Sequence, residues 1–74
     1  MAEVRTKEIQ IVVNGQDRLV PEGRTLAQIL AWLEIAPDRV AVELNRRIVR
    51  RPEWDETPVG PGAALEIVQF VGGG

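Results

Sequence analysis

Glu8-Ile9-Gln10-Ile11-Val12-Val13-Asn14-Gly15, and then Thr25-Leu26-Ala27-Gln28-Ile29-Leu30-Ala31-Trp32-Leu33, are the stretches that decide the fold of this chain. The first begins by alternating polar and apolar residues and is rich in β-branched side chains, the pattern of a strand with one buried face. Asn14-Gly15 is a strong hairpin signal, because both central residues of a type I′ turn need a positive φ. A return strand over about Asp17 to Val20 is expected to follow, ended by Pro21-Glu22-Gly23. The second stretch opens on Thr25-x-x-Gln28, a capping box: the threonine oxygen accepts from an early helix N–H, and the glutamine reaches back to the cap. Leu26, Ile29, Leu30 and Leu33 then fall at i, i+3, i+4 and i+7, four apolar side chains on one helical face. Trp32 lies off the centre of that stripe and is expected on its flank, partly exposed. Pro37 restricts Ala36, so the helix should end near Glu34 or Ile35. A hairpin followed by one amphipathic helix predicts an α+β domain, a mixed sheet of four to five strands with the helix packed across one face.

The rest of the chain supplies the remaining strands. Val40-Ala41-Val42-Glu43-Leu44 alternates, Asn45-Arg46 can turn, and Arg47-Ile48-Val49 can return. Pro52-Glu53-Trp54-Asp55 can open one helical turn with proline at its first position. Gly60-Pro61-Gly62 is a tight turn. Ala64 to Val71 reads as the last strand. The boundaries expected are a flexible leader over 1–7, a globular domain over 8–70 and a mobile glycine-rich tail over 71–74.

Composition removes most catalytic chemistry. The 74 residues include no Cys and no His, and Ser and Tyr are also missing. Disulfides, thiolate metal sites and the usual nucleophile–base pairings therefore have no material. Acidic residues are plentiful, but no spacing singles out an acid/base pair. This chain is expected not to be an enzyme by itself and to hold no metal. Its net charge of −2 argues against nucleic acid as a partner. No apolar run is long enough to span a membrane. Met1 to Lys7 lacks the apolar core of a secretory signal, which makes the cytoplasm the expected compartment.

The chain ends in Gly72-Gly73-Gly74. Glycine has no Cβ, so such a tail can enter a channel too narrow for side chains. If the tail is the working part, the reactive group is the α-carboxyl of Gly74 rather than any side chain. The contrasting reading is an inert terminus, since glycine-rich ends often serve as plain linkers.

Four stretches together resemble a known family. They are the opening strand with Asn14-Gly15, Gly23-Arg24-Thr25-Leu26, Val40-Ala41-Val42-Glu43-Leu44-Asn45, and Leu65-Glu66-Ile67-Val68-Gln69-Phe70-Val71-Gly72-Gly73-Gly74. With Ile48-Val49 and Trp54 they cover nearly everything after residue 7. The pattern is similar to the ubiquitin-like β-grasp sulfur carriers, and most of all to the thiamine-biosynthesis sulfur carrier (ThiS) family. One departure stands out: Gly62-Ala63 occupies the turn where that family commonly has Gly-Asp.

The resemblance implies a β-grasp fold and a definite cycle. An E1-like adenylyltransferase of the ThiF type, using ATP and magnesium, would convert the Gly74 carboxylate to an acyl-adenylate. A sulfur donor system would replace AMP and leave a thiocarboxylate, and a thiazole synthase of the ThiG type would consume it. Val71, Gly72 and Gly73 would thread into these partners. Phe70 and Val59 are candidate docking contacts, on or near the sheet face that the helix leaves uncovered. The carrier would bind no cofactor itself and would be a monomer when free. Carriers for molybdopterin synthase, tRNA thiolation or cysteine synthesis share the tail chemistry, and a non-covalent binding module with an inert tail is the contrasting class.

Two further groups carry weaker expectations. Arg46, Arg47, Arg50 and Arg51 form a basic cluster, read as a solvated surface, with a dock for an acidic partner and a phosphate or nucleic-acid contact as the alternatives. Trp32 and Trp54 are expected to cover the edge of the core rather than mark an interface.

Overall fold

Residues 7–70 are described by the computed structural model. The expected leader is thus represented by Lys7 alone, whose carbonyl accepts from Glu22 N–H at 2.8 Å, and the expected tail over 71–74 lies outside the described residues. The elements are β1 (Glu8–Val13), β2 (Gln16–Pro21), α1 (Leu26–Trp32), β3 (Val40–Leu44), β4 (Arg47–Val49), a 3-10 helix (Arg51–Glu56) and β5 (Ala64–Gln69).

The two hairpins form as the local signals require. Asn14 and Gly15 take φ values of 50° and 81°, and Val13 pairs with Gln16. Asn45 and Arg46 repeat the device at 50° and 69° between Leu44 and Arg47. The sheet order is β2-β1-β5-β3-β4. Both hairpins and the β3–β5 pair are antiparallel, while β1 and β5 run parallel. The last strand therefore occupies the centre of a five-stranded mixed sheet.

The capping box at α1 is complete, with Gln28 N–H donating to Thr25 Oγ1 at 3.3 Å and Thr25 N–H to Gln28 Oε1 at 2.9 Å. The helix ends sooner than Pro37 alone would enforce. Glu34 adopts φ 60°, its N–H donates to Ala31 O at 3.0 Å, and Ile35 N–H donates to Leu30 O at 2.9 Å. This is a Schellman closure with glutamate where glycine is usual. It turns Ile35 back against the core, so the stop is made by backbone geometry before the proline is reached.

One face of the sheet and α1 bury Ile9, Ile11, Val13, Val20, Leu26, Ile29, Leu30, Val42 and Leu65 against one another. Each such side chain contributes about 1.5–3 kcal/mol relative to exposure. Leu33, the last residue of the predicted stripe, is only partly buried. Trp54 departs from its expected place at the core's edge: the 3-10 helix carries its ring inside, where Nε1 donates to Val49 O at 2.8 Å. Trp32 stays largely exposed on α1.

Candidate functional site

The candidate site is the place where β5 delivers the chain toward its C-terminus. Successive side chains of β5 alternate between the faces: Leu65 and Ile67 point toward α1, Glu66 and Val68 away from it. Phe70 follows the same alternation, and its N–H still donates to Arg39 O at 2.7 Å. Arg39 itself sits at φ 66°, turned so that its carbonyl meets the strand. The last described residue is thus pinned to the sheet.

Both borders of β5 are held by turn asparagines. Asn14 Oδ1 accepts from Ile67 N–H at 2.7 Å and Asn14 Nδ2 donates to Ile67 O at 3.2 Å. On the other side Asn45 Oδ1 accepts from Ala64 N–H at 2.9 Å, and Asn45 N–H donates to Ala64 O at 2.8 Å. The sequence marks both residues as turn formers. It does not reveal that their amides reach the central strand, although an asparagine leading each hairpin turn is the signal that could have done so.

The sheet face turned away from α1 is uncovered and chemically one-sided. Val68, Phe70 and Ile48 are 58%, 57% and 77% exposed, and Leu19 is also exposed. By the strand pairing, Glu8, Asp17, Glu43 and Glu66 share this face, and no arginine or lysine of the described strands does. Glu43 and Glu66 are direct cross-strand partners. Like charges placed so oppose pairing.

The proposed docking pair separates. Phe70 lies at the tail's root on the uncovered face. Val59 does not: against the expectation from sequence it is a core residue, 3% exposed. The segment carrying it is drawn across the start of α1: Leu26 N–H donates to Thr57 O at 2.7 Å, and Val59 N–H to Arg24 O at 3.0 Å. These bonds close the end of the core over the Val59 side chain. Position 63, where the departure from the family pattern falls, is also interior. Ala63 is buried and its carbonyl accepts from Val12 N–H at 2.9 Å, prolonging the β1–β5 ladder.

Val71, Gly72, Gly73 and Gly74, the expected threading and reacting residues, lie outside the described residues. The basic cluster sits away from the site, around β4 and the 3-10 helix. Arg51 there pairs with Asp38 at 3.0 Å on an exposed surface. Among the described residues, no three acidic side chains gather into a group that could hold a metal ion, and no helix is long and apolar enough to cross a membrane.

Comparison with known proteins places these features in a family. A model described as the ThiS family matches residues 3–74. A thiazole synthase of Paramagnetospirillum magneticum is 36% identical over 66 residues, which is 89% of this chain and 20% of that protein. The chain thus spans about a fifth of the length of that relative, and a thiazole synthase of Magnetococcus marinus is matched over the same share. The sulfur carrier protein ThiS of Escherichia coli is 29% identical over 66 residues, 89% of this chain and all of that one. A crystal structure of a thiamine biosynthesis protein (ThiS) from Geobacter metallireducens superposes with a TM-score of 0.75 at 34% identity, covering 89% of this chain and 100% of that one.

Proposed function

This chain belongs to the ThiS family, the sulfur carrier proteins of thiamine biosynthesis, and from that premise we propose that it carries sulfur as a thiocarboxylate on Gly74 for thiazole formation. The observation that carries the reading is positional. The strand leading to Gly72-Gly73-Gly74 is the central strand of the sheet, bonded on both borders and pinned at Phe70, so the body is a rigid mount for its own terminus.

A carboxylate resists nucleophilic attack because charge and resonance oppose it. An adenylating partner of the ThiF type removes that obstacle: a Gly74 carboxylate oxygen displaces pyrophosphate from ATP, and AMP becomes the leaving group. A sulfide equivalent from the donor system then forms the C–S bond as the C–O bond to AMP breaks. ATP and magnesium belong to the partner. This division of labour fits a chain lacking every common nucleophilic side chain except threonine, lysine and the carboxylates.

The uncovered sheet face is the surface assigned to partners. It joins the tail's root at Phe70, combines exposed Val68 and Ile48 with Glu43 and Glu66, and fits a partner surface that is apolar and cationic. A thiazole synthase of the ThiG type is the acceptor best supported. In the Paramagnetospirillum and Magnetococcus relatives, a segment similar to this chain is part of a protein bearing that name.

Intact-mass measurement tests the reading. The full chain is incubated with a ThiF-type enzyme, ATP and a sulfur donor. Exchange of one oxygen for sulfur is expected, and it should disappear when Gly74 is removed. A chain that no such enzyme adenylates would refute the proposal.

A further inference from the structure

Asn14 does more than shape a turn. β1 pairs with β5 through Val12↔Ala64 and Val13↔Leu65, and the last backbone bond on that border is Asn14 N–H to Leu65 O at 2.8 Å. The chain then turns away into β2. At that point the Asn14 side chain takes over, engaging both the N–H and the C=O of Ile67, 53 positions along the sequence. Its amide supplies one more rung of a ladder whose strand has ended. Beyond Ile67, β5 is carried by β3 alone, through the Val40↔Gln69 register and the Phe70-to-Arg39 bond. Asn14 therefore marks where support of the last strand changes from two-sided to one-sided, just before the chain reaches Phe70.

Resting on the reading of Gly74 as the reacting terminus, we infer that Asn14 is a positioning residue for sulfur loading. Two bonds to the two backbone groups of one residue resist rotation of the strand about its own axis, which a single bond does not. The grip thus fixes the direction in which Val68 to Phe70 leave the sheet. Four residues follow Phe70, a reach of roughly 14 Å when extended. In a partner channel that holds those four residues extended, a change of about 10° in the direction of exit would move the terminus by about 2 Å. Misplacement of a reacting group by ~1 Å is enough to cost on the order of a hundredfold in rate. A partner channel recentres part of the error, so about a tenfold loss is expected from losing the grip.

The test uses the full chain with two substitutions. Asn14→Gly deletes the amide yet tolerates the 50° φ of this position, so the turn is preserved. Asn14→Asp keeps the acceptor for Ile67 N–H and loses the donor to Ile67 O. Three quantities are measured: hydrogen exchange at the Ile67 amide, the melting temperature, and steady-state pyrophosphate release by a ThiF-type enzyme. In Asn14→Gly, Ile67 exchange should rise about tenfold, and kcat should fall about tenfold with KM for the carrier nearly unchanged. Asn14→Asp should recover part of both. A role confined to stability would lower the melting temperature and leave kcat intact.

Wild-type kcat in Asn14→Gly, a loss confined to KM, or unchanged Ile67 exchange would each overturn the inference. If Asn14→Gly does not fold, Asn14→Asp decides alone: intermediate kcat at constant KM supports the role, and wild-type kcat refutes it. Failure of the wild-type chain to release pyrophosphate removes the sulfur-carrier reading and this inference with it. Normal wild-type turnover beside an unaffected Asn14→Gly removes the positioning role only.

Discussion

Deleting one glycine from the tail tests where its working length is measured from. The last described hydrogen bond is Phe70 N–H to Arg39 O, and four residues follow it. Removing Gly72 leaves a Gly-Gly terminus of unchanged chemistry and withdraws the carboxyl by roughly 3.5 Å. The chain can recover that distance by peeling one residue from β3. Doing so breaks the Phe70–Arg39 bond, a loss of about 0.5–1.5 kcal/mol. It also drags the Phe70 ring from the docking face, forfeiting up to about 1.5–3 kcal/mol of burial against the partner. The sum, about 2–4.5 kcal/mol, corresponds to a fall in kcat/KM of roughly thirty- to two-thousandfold. Inserting one glycine after Gly72 acts differently: the terminus already reaches, and the added expense is ordering one more residue, about 1–2 kcal/mol or roughly five- to thirtyfold. Deletion should therefore harm more than insertion. Pyrophosphate release at saturating ATP, with the carrier varied, measures both. Unchanged kcat/KM on deletion, or insertion worse than deletion, would show that the tail is not anchored at Phe70.

Four other substitutions probe the body. Glu34→Gly should relieve the left-handed Schellman position and stabilise the fold by about 0.5–1 kcal/mol, seen as a melting temperature several degrees higher. Leu65→Ala, in the buried centre of the last strand, should lose about 2–5 kcal/mol in urea unfolding, enough to leave so small a domain marginal. Phe70→Ala should leave the melting temperature within a degree or two while raising KM for the adenylating partner about tenfold, because the ring is more than half exposed in the free protein. Glu43→Gln should have opposite effects in two assays. Relief of the Glu43–Glu66 opposition stabilises the fold by about 0.2–1 kcal/mol, while association with a cationic partner slows at low salt.

What the sequence disclosed, and what it did not, divides by the range of the interactions involved. Asn14-Gly15 and the Thr25/Gln28 box are complete within a few residues, so their turn and cap could be read directly. The apolar stripe on α1 was legible for the same reason. Val59 was not, because its burial is decided by bonds from residues 57–59 to Arg24 and Leu26, more than thirty positions away. The helical turn at Trp54 was legible, but the burial of its ring was not, because that depends on how the 3-10 helix packs and lets Nε1 reach Val49 O. The parallel β1–β5 pairing likewise joins strands from opposite ends of the chain, and no local pattern specifies it.

The site follows the same division. That a glycine terminus could be the reagent is visible in three letters of sequence. How it is aimed is not, since the aim depends on a side chain 53 positions upstream and on the Arg39 carbonyl, which that residue's φ of 66° turns toward the strand. The central placement of β5 links the two. A terminal strand at a sheet edge could be peeled or paired away by any passing chain. As far as Ile67, β5 lies between β1 and β3 and cannot move without disturbing both neighbours, so a pull that reaches this stretch is resisted by the whole sheet. The like-charged pair Glu43 and Glu66 lies on that same central stretch, where it weakens the fold it helps to form. Its placement there fits the proposed docking of a cationic surface on this face during loading, which would relieve the repulsion.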